Sequence, residues 1–178
     1  MNCWKTINIS KDYGFYRLSF LSILSMIIAF IIIYLPINFI FPTTHFKEWP
    51  FLLFIFLLIG LVPFHKFLHI VPLLLSGNRM TYQWKVYLFI PTIRVKPCYS
   101  TKKLYMLLSL MTPFITVTTL FTILGFHFPS YVHYFCIATA FHIGICISDF
   151  IFIKQILKAP RKCYIEEFED SFEVLINK

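Results

Sequence analysis

Four stretches of the chain are nearly free of charge and long enough to cross a bilayer, whose hydrocarbon core takes about 20 apolar residues per helix. Residues 18–41, LSFLSILSMIIAFIIIYLPINFIF, hold no charged side chain. Residues 50–75 form a second stretch, interrupted by the run His65-Lys66-Phe67-Leu68-His69, and residues 104–126 and 131–153 form the third and fourth. The first is too long for the apolar core of a signal peptide and has no small-residue cleavage site. The pattern predicts an all-α membrane protein, four transmembrane helices in a single domain over residues 1–178.

Outside these stretches the period changes. After the second, SGNRMTYQWKVYLFIPTIRVKP alternates apolar with polar or basic residues and carries turn signals at Ser76-Gly77-Asn78 and Pro91, which predicts a β-hairpin over about residues 79–97 at the membrane surface. The tail, residues 154–178, ends in CYIEEFEDSFEVLINK, with five acids between Glu166 and Glu173 interleaved with Phe168, Phe172 and Val174. That alternation suits a short strand and a solvated acidic tail equally.

Composition agrees with a bilayer as solvent. The chain is 58% hydrophobic and 13% charged, about half the charge of an average soluble domain, which excludes a large soluble catalytic domain. A net charge of +8 would suggest nucleic acid in a soluble protein, but here the charges alternate by segment. Lys5, Lys11 and Arg17 precede span one, Lys47 alone lies between spans one and two, and Arg79, Lys85, Arg94, Lys96, Lys102 and Lys103 follow span two. None lies between spans three and four, and Lys154, Lys158, Arg161, Lys162 and Lys178 come after. The positive-inside rule places both termini and the 76–103 loop in the cytoplasm of a multi-pass cell-membrane protein. The basic residues then meet anionic lipid headgroups, with no nucleic-acid partner. Cys3, Cys98 and Cys163 fall in cytoplasmic segments and Cys136 and Cys146 in a span, so free thiols are expected.

Ionisable groups at membrane depth are costly and generally retained for a partner or a function. Span two holds His65, Lys66 and His69; span four holds His142 and Asp149. His65 and His69 are one helical turn apart on one face, the spacing that lets two imidazoles reach one metal ion. Asp149 is the candidate third ligand, since at about 1.5 Å per residue it lies roughly 7 Å from the end of its span and His69 roughly 10 Å from the end of its own. A metal-free arrangement competes, in which Asp149 pairs with Lys66; if Lys66 instead snorkels to the interface, Asp149 is left needing a metal or a histidine. His142 and Cys146 share a helical stripe with Asp149, and either fits a fourth ligand, a partner supporting the ligands, or simple packing. Pro63 predicts a bend just before His65. Thr112, Thr116, Thr118, Thr119 and Thr122 of span three either line a cavity beside this cluster or bond their own helix backbone.

Pro63-Phe64-His65-Lys66-Phe67-Leu68-His69, the step Thr112-Pro113-Phe114, and Ser148-Asp149 followed by the Leu157-Lys158-Ala159-Pro160-Arg161-Lys162 tail resemble the putative zincin peptidases, small four-span bacterial membrane proteins. These are similar in turn to site-2-protease-type intramembrane metalloproteases. The resemblance implies zinc held by His65, His69 and Asp149, and a hairpin at residues 79–97 that receives an extended segment of a transmembrane substrate or partner. One position departs from the family pattern. The motif glutamate, which takes the proton of the attacking water and passes it to the leaving amine, is replaced by Lys66, whose ammonium has no lone pair. The expectation is therefore a degenerate zincin-like site in a non-catalytic pseudoprotease that binds membrane lipid and a membrane partner. An active zinc-dependent intramembrane metalloprotease is the first alternative. A metal-free structural or transport protein is the second, and it requires a Lys66–Asp149 contact and ligand atoms that fail to converge within about 4 Å.

Overall fold

The computed structural model describes residues 2–40, 46–87, 90–168 and 171–176. Strand β1 (Asn2–Ile7) leads through the short helix α1 (Ile9–Tyr13) to α2 (Phe15–Ile40), with Gly14 at φ +75° making the turn between them. Helix α3 (Phe51–Leu75) follows, then the strands β2 (Met80–Tyr87) and β3 (Ile90–Pro97), the short β4 (Thr101–Lys102) and helix α4 (Lys103–His127). A single 3-10 turn at Pro129–Tyr131 opens the last helical stretch, α5 (Val132–Ile145) and α6 (Ile147–Leu157), and the chain closes on β5 (Cys163–Phe168) and β6 (Ser171–Ile176).

Helices α2, α3 and α4 are each long and apolar enough to cross a membrane. The fourth predicted span is present but not as one helix. It breaks between α5 and α6 with a bend of 43°, so the pair makes a fourth crossing only if counted together. Pro63, expected to bend the second span before His65, lies with Pro72 inside α3, which is one continuous helix from Phe51 to Leu75. The interruption falls instead at Cys146, where no proline stands.

The all-α expectation also misses a sheet. Four antiparallel strands lie in the order β1-β6-β5-β4, with Thr6 opposite Glu173, Ile165 opposite Val174 and Thr101 opposite Ile165. The end of the tail is a strand pair, and the first four residues of the expected tail, 154–157, belong to α6. Alternation explains the pair: Cys163, Ile165 and Val174 are buried, while Glu166 points outward. β1, absent from the sequence reading, supplies the buried Ile7. Because β1 feeds α2, β4 abuts the start of α4, and β5 follows α6, the sheet caps the end of the bundle where α2 and α4 begin and α6 ends. Lys103 ties this end together by donating from Nζ to the carbonyls of Leu157 (3.2 Å) and Ala159 (2.6 Å), which α6 leaves unpaired at its C-terminus.

The hairpin β2–β3 forms a separate two-stranded sheet, in register from Met80 opposite Pro97 to Tyr87 opposite Ile90. Its limits match the expected 79–97, and the turn that joins its strands lies outside the described residues. Pro91 sits within β3 rather than at the turn, a position open to proline because a two-stranded sheet has only edge strands.

Apolar packing holds the helices. Phe54, Leu61 and Leu68 of α3 meet Val117 and Phe121 of α4 and Ala138 of α5 in one buried cluster. Leu73, Met106, Leu110 and Ile156 form another with Ile165 of the sheet. Helix α2 buries only Ala29 fully and meets α5 at Gly144, where a Cβ would stand 3.1 Å from the Ser22 carbonyl oxygen and 3.3 Å from Met26 Cβ. Glycine is required there for the two backbones to approach.

Candidate metal centre

His65 and His69 project from the face of α3 that also carries the buried Leu61, Leu68 and Leu73, so both imidazoles turn inward between the helices. Asp149 comes from the first turn of α6, the new helix begun by the break at Cys146, and is buried. The N-terminal position suits an anion, since the free N–H groups of a helix start carry partial positive charge.

The three side chains converge. Oδ2 of Asp149 lies 3.2 Å from His65 Nε2 and 3.7 Å from His69 Nε2, and the two Nε2 atoms are 3.1 Å apart. Ligands at about 2.0–2.1 Å in tetrahedral array around zinc are separated by about 3.4 Å. The triangle therefore has the size of one face of a tetrahedral metal site, and these residues form a group able to hold an ion.

Each imidazole is held from behind. Nδ1 of His69 lies 2.9 Å from the carbonyl oxygen of Ser109 on α4, and Ser109 Oγ donates back to the His69 carbonyl at 2.6 Å. A carbonyl only accepts, so the His69 proton is on Nδ1 and its Nε2 presents a lone pair to the centre. Nδ1 of His65 lies 3.0 Å from Nε2 of His142 on α5. With the His65 proton on Nδ1, donated to His142, all three central atoms are lone-pair donors. With it on Nε2, one proton faces two acceptors, His69 Nε2 and Asp149 Oδ2. Oδ2 of Asp149 is buried and accepts no hydrogen bond in bonding geometry among the described residues. A buried carboxylate oxygen without a donor, facing two oriented imidazole nitrogens, matches the donor set and the supporting partners of a zinc site.

Ser109 was not anticipated, although the chain carries a signal for it. Proline at 113 has no N–H to bond the carbonyl four residues earlier, and that carbonyl is Ser109's. The step Thr112-Pro113-Phe114 thus exposes an acceptor at the height of His69. His142 takes the supporting position, with Cys146 Sγ 3.7 Å from its ring nitrogens. Two of the threonines behave as backbone partners, Thr112 donating to the Leu108 carbonyl and Thr122 to that of Thr118, whereas Thr118 Oγ1 is buried and makes no hydrogen bond among the described residues.

Lys66 takes no part in the cluster. It is exposed on α3, and the ion pairs of Asp149 among the described residues are with His65 and His69. The Lys66–Asp149 contact required by a metal-free structural role is not among them. The five cysteines are free thiols, with Cys3 and Cys98 exposed and Cys136, Cys146 and Cys163 buried.

A family model described as putative zincin peptidase matches residues 58–164, a stretch that runs from the middle of α3 through α4 and α6 and so includes His65, His69, Ser109, His142 and Asp149. No curated protein and no solved structure is significantly similar to the chain.

Proposed function

Because the chain belongs to the family described as putative zincin peptidase, we propose that it is a membrane protein with a zinc centre at His65, His69 and Asp149 that binds a membrane-embedded partner without cleaving it. The observation that carries this reading is the convergence of three donors within 3.7 Å beside an exposed lysine at the position of the general base. Zinc bound there would supply Lewis-acid polarisation of a carbonyl. His65, His69 and Asp149 would hold the ion, while His142 and the Ser109 carbonyl orient the two imidazoles. No side chain in the cluster is left to accept and return a proton: Asp149 is committed as a ligand, and Lys66 at neutral pH has no lone pair to offer.

The sheet supports a reading with four crossings: strands that precede α2 and α4 pair with strands that follow α6, which is consistent with an even number of crossings between them and with α5 and α6 counting as one. The distribution of basic segments supports a cytoplasmic side for both termini and the β2–β3 hairpin, against anionic lipid. An extended segment of a transmembrane partner would add to the open edge of that hairpin through main-chain hydrogen bonds.

Metal content is the test. The purified protein is expected to carry about one zinc per chain and the His65→Ala variant none, since loss of one of three ligands leaves two; no metal in either overturns the reading. A model transmembrane substrate is expected to stay intact with the wild-type protein. Cleavage that stops on Asp149→Asn would establish the peptidase instead, and cleavage gained on Lys66→Glu would identify the missing base as the reason for inactivity.

A further inference from the structure

His65 presents a nitrogen in each of two directions. Its Nε2 faces His69 and Asp149; its Nδ1 faces His142 Nε2 at 3.0 Å and Cys146 Sγ at 3.9 Å, and Cys146 Sγ lies 3.7 Å from His142 Nε2. These atoms form a second group able to hold an ion. A three-coordinate metal with bonds of about 2.0 Å to nitrogen and 2.3 Å to sulfur spaces its ligands by about 3.5 Å for N–N and about 3.7 Å for N–S. The second triangle matches within about half an ångström.

The two groups differ in kind. The first has a hard carboxylate and a half-exposed histidine. The second has a sulfur donor, and its residues are 4% (His65), 0% (His142) and 0% (Cys146) exposed, so water is excluded as a further ligand. Three donors including a thiolate, with no room for a fourth, suit a soft cation of low coordination number. A monovalent ion is favoured over a divalent one, because its charge is cancelled by the single thiolate and no net charge remains within the apolar bundle.

The geometry points to a second metal site formed by His142, Cys146 and the Nδ1 side of His65, selective for copper(I), which competes with the His65/His69/Asp149 centre for the same imidazole. The competition, though not the site itself, rests on the zinc reading above. The protons balance as follows. Copper(I) forms bonds to Sγ of Cys146, Nε2 of His142 and Nδ1 of His65; the thiol S–H proton leaves to solvent, and the His65 proton moves from Nδ1 to Nε2. No electron is transferred. His65 Nε2 then carries a hydrogen and no lone pair toward the first centre. A neutral His65 therefore serves one ion at a time, and its tautomer records which.

The experiment uses the full chain in detergent with its exposed cysteines replaced (Cys3→Ser, Cys98→Ser). Copper(I) is titrated anaerobically against a chromophoric copper(I) chelator, and cobalt(II) serves as the probe of the first centre. One copper(I) per chain is expected, with a thiolate-to-copper absorption in the near ultraviolet. Cys146→Ser should weaken copper(I) binding by more than the roughly 10–100-fold that loss of a supporting partner costs, while Asp149→Asn abolishes cobalt binding and leaves copper(I) in place. Copper-loaded protein should refuse cobalt. Equal copper(I) affinity in Cys146→Ser, or loss of copper(I) on Asp149→Asn, overturns the second site; simultaneous loading of both ions overturns the competition. Failure of cobalt to bind the wild-type protein counts against the first centre alone. Should Cys146→Ser not fold, X-ray absorption at the copper edge of the parent decides: one sulfur and two nitrogen neighbours are expected, and any sphere without sulfur refutes the assignment.

Discussion

Two buried clusters organise this molecule, and they are built from opposite materials. Under the sheet, Ile7, Ile9, Ala159, Cys163 and Val174 pack as an apolar cap closed by backbone ladders. Midway along the helices, His65, His142, Cys146 and Asp149 are buried as deeply, yet they are ionisable groups held by one another. The cap gains free energy from burial itself. The polar cluster gains little from it, because desolvation of such groups offsets the contacts they make. Shape is thus secured at the cap and between the helices, and the polar cluster is free to hold chemistry that the fold does not need.

That division is breakable from either side. Val174→Asp places an unpaired charge under the sheet and should cost about 3–5 kcal/mol, read as a lower melting temperature, while zinc per folded chain stays constant. Zinc lost in proportion to the cap would show that the two clusters are one unit. Gly144→Val forces a side chain against the Ser22 carbonyl; an overpacking cost of about 1–3 kcal/mol is expected, again without change in metal stoichiometry. Pro113→Ala acts on the other side. It restores an N–H that competes with His69 for the Ser109 carbonyl, and zinc affinity should fall about 10-fold with melting of the metal-free protein nearly unchanged; unaltered affinity would show that the carbonyl does not orient His69. The smallest effect concerns thiols. Burial pushes the Cys163 thiol up, more than nearby Lys103 pulls it down, so less of it is thiolate at neutral pH. Maleimide should label Cys3 and Cys98 well before Cys163, and equal rates would mean that the cap opens freely.

The polar cluster was the more legible of the two, for a physical reason. In an apolar span every ionisable residue stands out, so His65, His69, Asp149, His142 and Cys146 drew attention by their chemistry and depth, together with Lys66, which lies outside the cluster. Ser109 could not be named so directly, because it contributes a carbonyl that any residue possesses, and only Pro113 betrays that this carbonyl is free. Lys66 follows His65 in the chain, but one residue turns an α-helix by about 100°, which carries its side chain to the exposed face. The hairpin was legible through its alternation. The cap was not: β1 is six residues long and pairs with β6 at the far end of the chain, and the acids of the tail mask a strand pair whose buried positions are Cys163 and Ile165 in β5 and Val174 in β6. The break at Cys146 has no proline to signal it, and Gly144, two residues earlier, is the one nearby mark in the sequence.

The pairing of β1 with β6 also sets an order of events during synthesis. At about 5–20 residues per second, the roughly 160 residues between the two strands take on the order of ten seconds or more to make. Until β6 is made β1 has no partner, although α2, α3 and α4 have already been synthesised. The cap is therefore the last part of the molecule able to close.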